Sequence, residues 1–83
     1  MNRSDIYAAI DAERERQADT LGGAHDWGPG DCSSPAVADI VKTAVLSEEC
    51  GEAARAVLDT DIDQLRTELI QVAAVAVAWL EAL

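Results

Sequence analysis

The chain alternates between segments in which apolar residues recur at helical spacing and segments in which glycine, proline and small polar residues interrupt that pattern. Apolar positions three and four residues apart predict helices over about residues 5–19, 35–58 and 62–82. Residues 20–34 hold four of the five glycines and one of the two prolines, which predicts a long loop. The pattern therefore predicts an all-α fold class, with three helices in a single domain that spans residues 1–83.

Residue types at the ends of the predicted helices support these boundaries. Ser4 is suited to cap the first helix, and Pro35 is favoured in the first position of the second. Thr60 and Asp63 have the spacing of a capping box before the third helix. Gly51 interrupts the middle of the second helix, where glycine is unfavourable, and it predicts close approach of another helix.

The third helix is apolar on all its sides over residues 69–80, where Gln71 is the one polar residue in twelve. A helix of this kind must be covered all round, and two companion helices in a chain of 83 residues are too few to do so. We therefore expect self-association into a dimeric or larger helical bundle, with alanines of this helix allowing close contact. Twelve apolar residues fall short of the roughly 20 that a membrane span needs, so no membrane partner is expected.

The charge of the chain narrows the class of partner. Six Lys and Arg residues against sixteen Asp and Glu residues give a net charge of −10. Such a chain repels nucleic acid polymers and anionic membranes, whereas a small phosphorylated ligand can bind where basic groups or a divalent cation offset its charge. Cys32 and Cys50 form no C-x-x-C motif, and residues 1–15 have no secretory-signal pattern. We therefore expect reduced thiols and a cytoplasmic location.

Acidic residues on the second and third helices form the strongest candidate for a chemical site. Glu48, Glu49 and Glu52 lie three and four residues apart and share one side of a helix, and Glu68 and Gln71 repeat the spacing on the next helix. In an antiparallel helix pair the two sets face each other. Oxygen ligands in that arrangement predict a hard-cation site between the helices.

A second interpretation of the same residues stays open. A run of glutamates on a helix is often a solvent-exposed face, and Glu52 can pair with Arg55 three residues later. Gln71 can find a hydrogen-bond partner across a symmetric interface instead of a cation. Under this interpretation the chain is a structural helical oligomer without a ligand.

Two strings resemble a known family. LSEECGEAARA (residues 46–56), followed by LRTELIQVA (residues 65–73), resembles the MazG-like all-α nucleotide pyrophosphohydrolase superfamily, whose pattern is E-E-x-x-E followed by E-x-x-D. The acidic positions of that pattern are matched by Glu48, Glu49, Glu52 and Glu68. AERERQ (residues 12–17) and the terminal VAAVAVAWL are similar to small bacteriophage members of the family.

The resemblance implies that Mg²⁺ is held against the phosphates of a nucleoside triphosphate and activates a water that cleaves between the α and β phosphates. The implied metal ligands are Glu49, Glu52, Glu68 and, more weakly, Gln71, and in an enzyme Glu48 is the catalytic residue that positions the water. Gln71 stands where the family has Asp. Its neutral amide lowers the negative charge of the site and cannot serve as a base, which favours binding without turnover.

Other side chains are candidates for contacts with the ligand. Arg14, Arg16 and Lys42 are suited to a phosphate, although Asp11 with Arg14 and Glu13 with Arg16 are also spaced as surface ion pairs.

Trp27 either stacks on a nucleobase or fills a packing gap. The resemblance to phage proteins leads us to expect a protein that sequesters a nucleotide or nucleotide-derived signal in the host cytoplasm. An Mg²⁺-dependent nucleoside triphosphate pyrophosphohydrolase is the alternative.

Overall fold

A computed structural model of the chain describes residues 1–21, 24–25 and 28–83. The helices of this part of the chain are α1 (Arg3–Leu21), α2 (Asp39–Leu58) and α3 (Ile62–Ala82). Two-residue strands β1 (Ala24–His25) and β2 (Gly28–Pro29) pair antiparallel between α1 and α2. The prediction of an all-α fold with three helices is confirmed.

α3 is the central element, because both α1 and α2 pack against it. α2 and α3 run antiparallel, and Trp79 near the end of α3 donates from Nε1 to Asp39 Oδ1 at the start of α2, at 3.1 Å. The buried apolar core consists mostly of alanines on these two helices, together with two valines: Val37, Ala53, Ala56, Ala74, Val75 and Ala78. Small side chains let the two helix backbones approach closely, which brings polar residues on the same faces into contact.

α1 is longer than predicted at both ends, and Ser4 is not its cap. The backbone N–H of Asp5 donates to Asn2 Oδ1 at 2.8 Å, and the N–H of Asn2 donates to Asp5 Oδ2 at 3.4 Å. This reciprocal pair is a capping box centred on Asn2, and it starts the helix at Arg3. The helix ends at Leu21, so it includes the first two residues of the predicted loop.

α2 begins at Asp39, four residues later than predicted. Ser34 forms a turn rather than a helix cap, because its Oγ accepts from the N–H of Ala36 and its carbonyl accepts from the N–H of Val37, both at 3.2 Å. The turn places Val37 in the core. Ala38 is then extended, with ψ of 148°, so the helix cannot begin before Asp39.

α3 covers the predicted range, but Asp61 caps it instead of Thr60. Asp61 accepts the backbone N–H of Gln64 on Oδ1 at 3.0 Å. Thr60 has a φ of 52°, which makes the sharp reversal between the helices, and its hydroxyl donates to the carbonyl of Asp59 at 2.7 Å. Its side chain is therefore not available as a cap.

One side of α3 is covered by α1 and α2, whereas Leu69, Ala76 and Leu80 on the other side are exposed. The expectation that α3 must be covered all round is thus not met within one chain, and self-association stays a prediction. Among the helices that the structure describes, none combines the length and the apolar character that a membrane crossing requires.

Gly51 is not a point of close helix approach, because a Cβ added there meets no atom within 4 Å. Gly51→Ala is therefore expected to raise the free energy of unfolding by about 0.5–1 kcal/mol, since alanine loses less backbone entropy in a helix. Urea denaturation measures the change. Gly30→Ala is the matched control and should destabilise, because Gly30 has a φ of 91° and its added Cβ would lie 2.8 Å from Ser34 Cβ. Loss of stability in Gly51→Ala would contradict the finding that there is open space around Gly51.

Candidate metal centre

The antiparallel packing of α2 on α3 brings three carboxylates together. One oxygen each from Glu49, Glu52 and Glu68 can be chosen so that all lie within 4.8 Å of one another. Glu49 and Glu52 lie one turn apart on α2, and the tight turn after α2 sets Glu68 of α3 opposite them. We call these three residues the carboxylate triad. Its members are three of the four glutamates that the spacing of the sequence places on the facing sides of the two helices, and Glu48 is not among them.

The triad is buried at one side and open at the other. Glu68 is 5 % exposed, Glu49 is half-buried, and Glu52 is exposed. A groove of about 200 Å³ runs along the open side, lined by Glu52, Arg55, Ala56, Asp59, Asp61, Gln64 and Glu68. A ligand can therefore reach the triad from solvent without a change in the helix packing.

Two glutamine amides contact the triad. Gln71, with its amide nitrogen turned toward the acids, donates to Glu49 Oε2 and to Glu68 Oε2, both at 2.9 Å. Gln64 Nε2 donates to Glu68 Oε1 at 2.5 Å. These donors offset part of the repulsion among the carboxylates, because an N–H bonded to a carboxylate stabilises its charged form.

Two members of the triad, Glu49 and Glu52, have a raised pKa. The pKa of Glu49 is raised to about 7, chiefly because burial disfavours its charge, with further contributions from the charge of Glu52 and from its hydrogen bond with Glu68. The pKa of Glu52 is also raised, first by its hydrogen bond with Glu68 and then by the charge of Glu68. Burial and neighbouring carboxylates both disfavour the charged form, so the protonated form of these two side chains is favoured.

The arrangement is suited to a divalent cation. Carboxylate oxygens up to 4.8 Å apart can share one Ca²⁺, which binds oxygen at about 2.3–2.6 Å, whereas Mg²⁺ at about 2.0–2.1 Å requires them to approach to about 4.2 Å. A dipositive charge among them offsets both the burial and the neighbouring charges that raise the pKa of Glu49.

Gln71 was predicted as a weak oxygen ligand. Without a cation its nitrogen is assigned to the triad, because its oxygen would otherwise face only the acceptor oxygens of Glu49 and Glu68. Rotation of the amide by half a turn would present its oxygen, so both roles fit the same position. Gln64 was missed by the sequence analysis. Its position four residues before Glu68 on one helix was the available signal.

Arg14 is engaged by acids away from the triad. Its two terminal nitrogens bind Asp31 Oδ2 at 3.0 Å and Glu81 Oε2 at 2.7 Å, and its side chain is only 11 % exposed. These contacts raise the pKa of the guanidinium although burial opposes the charge. The surface pair with Asp11 that the spacing suggested does not form, and Arg14 instead ties α1 to the loop after it and to the end of α3.

Arg16 lies nearer to the triad. It forms the predicted pair with Glu13, with Nη2 at 2.6 Å from Oε2, and its pKa is raised by that contact and also by the charge of Glu49. Lys42 differs, because it is 2 % exposed and its charge acts on the Cys32 thiol. Lys42 precedes Glu49 by seven positions on α2, which is about 10 Å along the helix axis, so Lys42 does not lie beside the triad.

Two further residues were predicted at the site, Glu48 and Trp27. Glu48 is exposed on α2 and adds its charge to those that raise the pKa of Glu49, but it is not a member of the triad. Trp27 lies outside the described residues.

Arg55 pairs with Asp59 at 3.3 Å rather than with Glu52, and it lines the groove beside the triad. The sequence analysis did not select Arg55 as a ligand contact.

A second groove lies between α1 and α3, with a volume of about 420 Å³ and a mostly apolar lining. It is formed by Met1, Ala9, Ala12, Glu13, Arg16, Arg66, Thr67 and Ile70. Arg16 belongs to this groove and also interacts with Glu49, so the groove and the triad are neighbours.

Comparisons of the chain with protein-family models, with curated proteins and with solved structures find no match.

Proposed function

We propose that this protein captures a small phosphorylated ligand, a nucleotide or a nucleotide-derived signal, through a divalent cation held by the carboxylate triad, and retains it without hydrolysis. Mg²⁺ is the cation that the MazG-like resemblance implies. The proposal depends on one observation above all, the meeting of three carboxylate oxygens from two helices within 4.8 Å.

The charge of the molecule supports a cation as the link to the ligand. A chain with a net charge of −10 repels a phosphate, and three acidic side chains at one point repel it further. A divalent cation reverses the local sign and can bind carboxylates on one side and phosphate oxygens on the other. The ligand is therefore expected to bind only together with the cation.

Two arginines and a groove beside the triad suit the rest of such a ligand. Arg55 lines the polar groove at Glu52, and Arg16 lies on the α1 side near Glu49. The 420 Å³ groove is within the size range of small-molecule sites, and its apolar lining suits a planar base or another apolar group. These positions put basic groups on both sides of the triad.

Absence of turnover is proposed because of Gln71. The family pattern has an acid at this position, and an amide can neither accept a proton from water nor add negative charge to the cation site.

One observation favours the alternative, a Mg²⁺-dependent pyrophosphohydrolase. A carboxyl group with a pKa of about 7, as Glu49 has, is well matched to general-base catalysis at neutral pH. In that mechanism Glu49 would accept the proton of the water while Glu52 and Glu68 hold the cation, and Glu48 would help to position the water, as the resemblance implies.

The two functions are separated by one incubation. The protein is mixed with nucleoside triphosphates and Mg²⁺, freed of unbound nucleotide, and denatured, and the released molecules are identified by mass spectrometry. We expect an intact nucleotide in a Mg²⁺-dependent amount, with at least about tenfold less from Glu52→Gln, because one of three charged ligands is lost. Glu15→Gln, the same change at an exposed site on α1, is the control and should retain the nucleotide.

Other outcomes decide against the proposal. Release of monophosphate and pyrophosphate by the unmodified protein but not by Glu52→Gln would establish the hydrolase instead. Neither bound nucleotide nor turnover, with a wider set of linear and cyclic nucleotides included, would leave a structural helical oligomer as the remaining interpretation.

A further inference from the structure

An unbroken apolar seam runs along the uncovered side of α3. Its members are separated by four, three, four and three residues, the spacing of one face of a coiled coil: Leu69, Ala73, Ala76, Leu80 and Leu83. Leu69 is 53 % exposed and Leu80 is 68 % exposed, although both lie on the helix that forms the centre of the domain. Exposed leucines repeated at this spacing are typical of a helix that contacts another helix.

A cavity opens beside the first half of the seam. It has a volume of about 300 Å³ and lies between α1 and α3, lined by Met1, Ile6, Ile10, Arg66, Leu69, Ile70 and Ala73. Ala73 is the smallest residue of its lining, and Ile6 and Leu69 form part of its wall. A leucine side chain from another helix fits a hole of this kind.

We propose that the seam joins two copies of this chain, with their α3 helices antiparallel and Ala76 at the two-fold axis. In that register Leu80 of each copy lies opposite Ala73 of the other and enters the cavity, and Leu69 lies opposite Leu83. The large side chain of Leu80 then packs on a small residue, and the one pair of large residues, Leu69 with Leu83, lies at the end of the seam. The two alanines at the axis permit close approach of the backbones.

The exposed area is sufficient for a dimer. Leu69, Leu80 and Leu83, with Met1 and Ile6 from the neighbouring α1, expose on the order of 600 Å² per copy, against about 800 Å² per partner in a standard interface. Exposed alanine and flanking polar atoms supply the remainder. An interface of this size is apolar at its centre, as in stable homodimers.

Charge favours the antiparallel direction. A parallel pair would set Asp63 beside Asp63 and Glu81 beside Glu81 in chains that already carry −10 each. The antiparallel pair separates these acids. It also brings Arg66 toward the C-terminal end of the other α3, which has no basic residue in its last turn and is the negative end of the helix dipole.

The seam contains no member of the carboxylate triad, so this proposal is independent of the cation site. Sedimentation velocity over a concentration series tests it, with circular dichroism to establish that each variant is folded. We expect a dimer for the unmodified chain and at least about hundredfold weaker association for Leu80→Glu. Leu58→Glu makes the same change at an exposed leucine of α2 outside the seam and should remain dimeric. A monomeric unmodified chain, or a dimer that persists in Leu80→Glu, would overturn the proposal.

Cysteine cross-linking tests the register separately. In a chain with Cys32→Ser and Cys50→Ser, Ala76→Cys should form a disulfide-linked dimer under mild oxidation, because residues at the two-fold axis face each other. Leu69→Cys alone should not cross-link, whereas a mixture of Leu69→Cys and Leu83→Cys chains should. Efficient self-cross-linking of Leu69→Cys would indicate parallel helices and would reject the register.

Discussion

Glu52→Gln is expected to weaken divalent-cation binding by at least about tenfold. Glu52 is the exposed member of the carboxylate triad, so its replacement removes a charged ligand without opening the core. Titration calorimetry with Mn²⁺ or Mg²⁺ at pH 8 measures the affinity directly. The pH is chosen so that Glu49, with a pKa of about 7, is mostly ionised before the cation binds.

Two controls make this result specific. Glu15→Gln removes the same charge from α1 and should change the affinity by less than about twofold. Glu15 lines a groove with Glu81, which lies about 20 Å along α3 from Glu68, and charges that far apart are screened. Gln71→Asp restores the acid of the resembled family and should raise the affinity, because it adds a negative ligand at the position that now donates to Glu49 and Glu68. Equal losses in Glu52→Gln and Glu15→Gln would mean that the cation responds only to overall charge.

Without a divalent cation, the free energy of unfolding should fall as the pH rises from 5 to 8. In the folded protein Glu49 keeps its proton up to a pKa of about 7, whereas in the unfolded chain the same group ionises near its ordinary value of 4.5. The folded state therefore binds more protons than the unfolded state between these values, so raising the pH through this window favours unfolding. The lowered pKa values of Glu13 and Asp31 have the opposite effect, but only at more acid pH.

Urea denaturation at pH 5 and pH 8 measures this dependence, and Glu49→Gln should flatten it because the neutral amide cannot ionise. Millimolar Mg²⁺ at pH 8 should restore the stability of the unmodified chain, since a ligand that binds only the folded state stabilises it. Sodium chloride of equal ionic strength should restore much less. A stability that rises from pH 5 to pH 8 in the absence of Mg²⁺ would contradict the proton assignment at the triad.

Periodicity predicted the three helices well, because each has apolar residues at helical spacing and a chemically distinct end. It failed at the start of α2. Ser34 and Pro35 are suited to begin a helix, but Ser34 instead closes a turn that buries Val37. Burial of a valine is a tertiary effect that local helix propensity does not contain. Asn2 rather than Ser4 caps α1. Both residue types are good N-caps, so the spacing of the sequence alone does not decide between them.

The triad was predictable because its members repeat at helical spacing on two helices joined by a short turn. The contacts of Arg14 were not, because Asp31 and Glu81 lie 17 and 67 residues away in the chain. The exposed side of α3 agrees with the expectation that two companion helices are too few to cover it. Which residues are left exposed was not predicted: α1 and α2 cover the alanine-rich side and leave Leu69 and Leu80 exposed.

A crystal structure of the protein grown with Mn²⁺ at pH 8 would test the central claim most directly. We predict one anomalous-scattering peak per chain between α2 and α3, about 2.0–2.6 Å from oxygens of Glu49, Glu52 and Glu68. The amide nitrogen of Gln71 should have turned away from those oxygens. The claim would be contradicted if saturating Mn²⁺ gave no peak there and Gln71 still donated to Glu49 and Glu68.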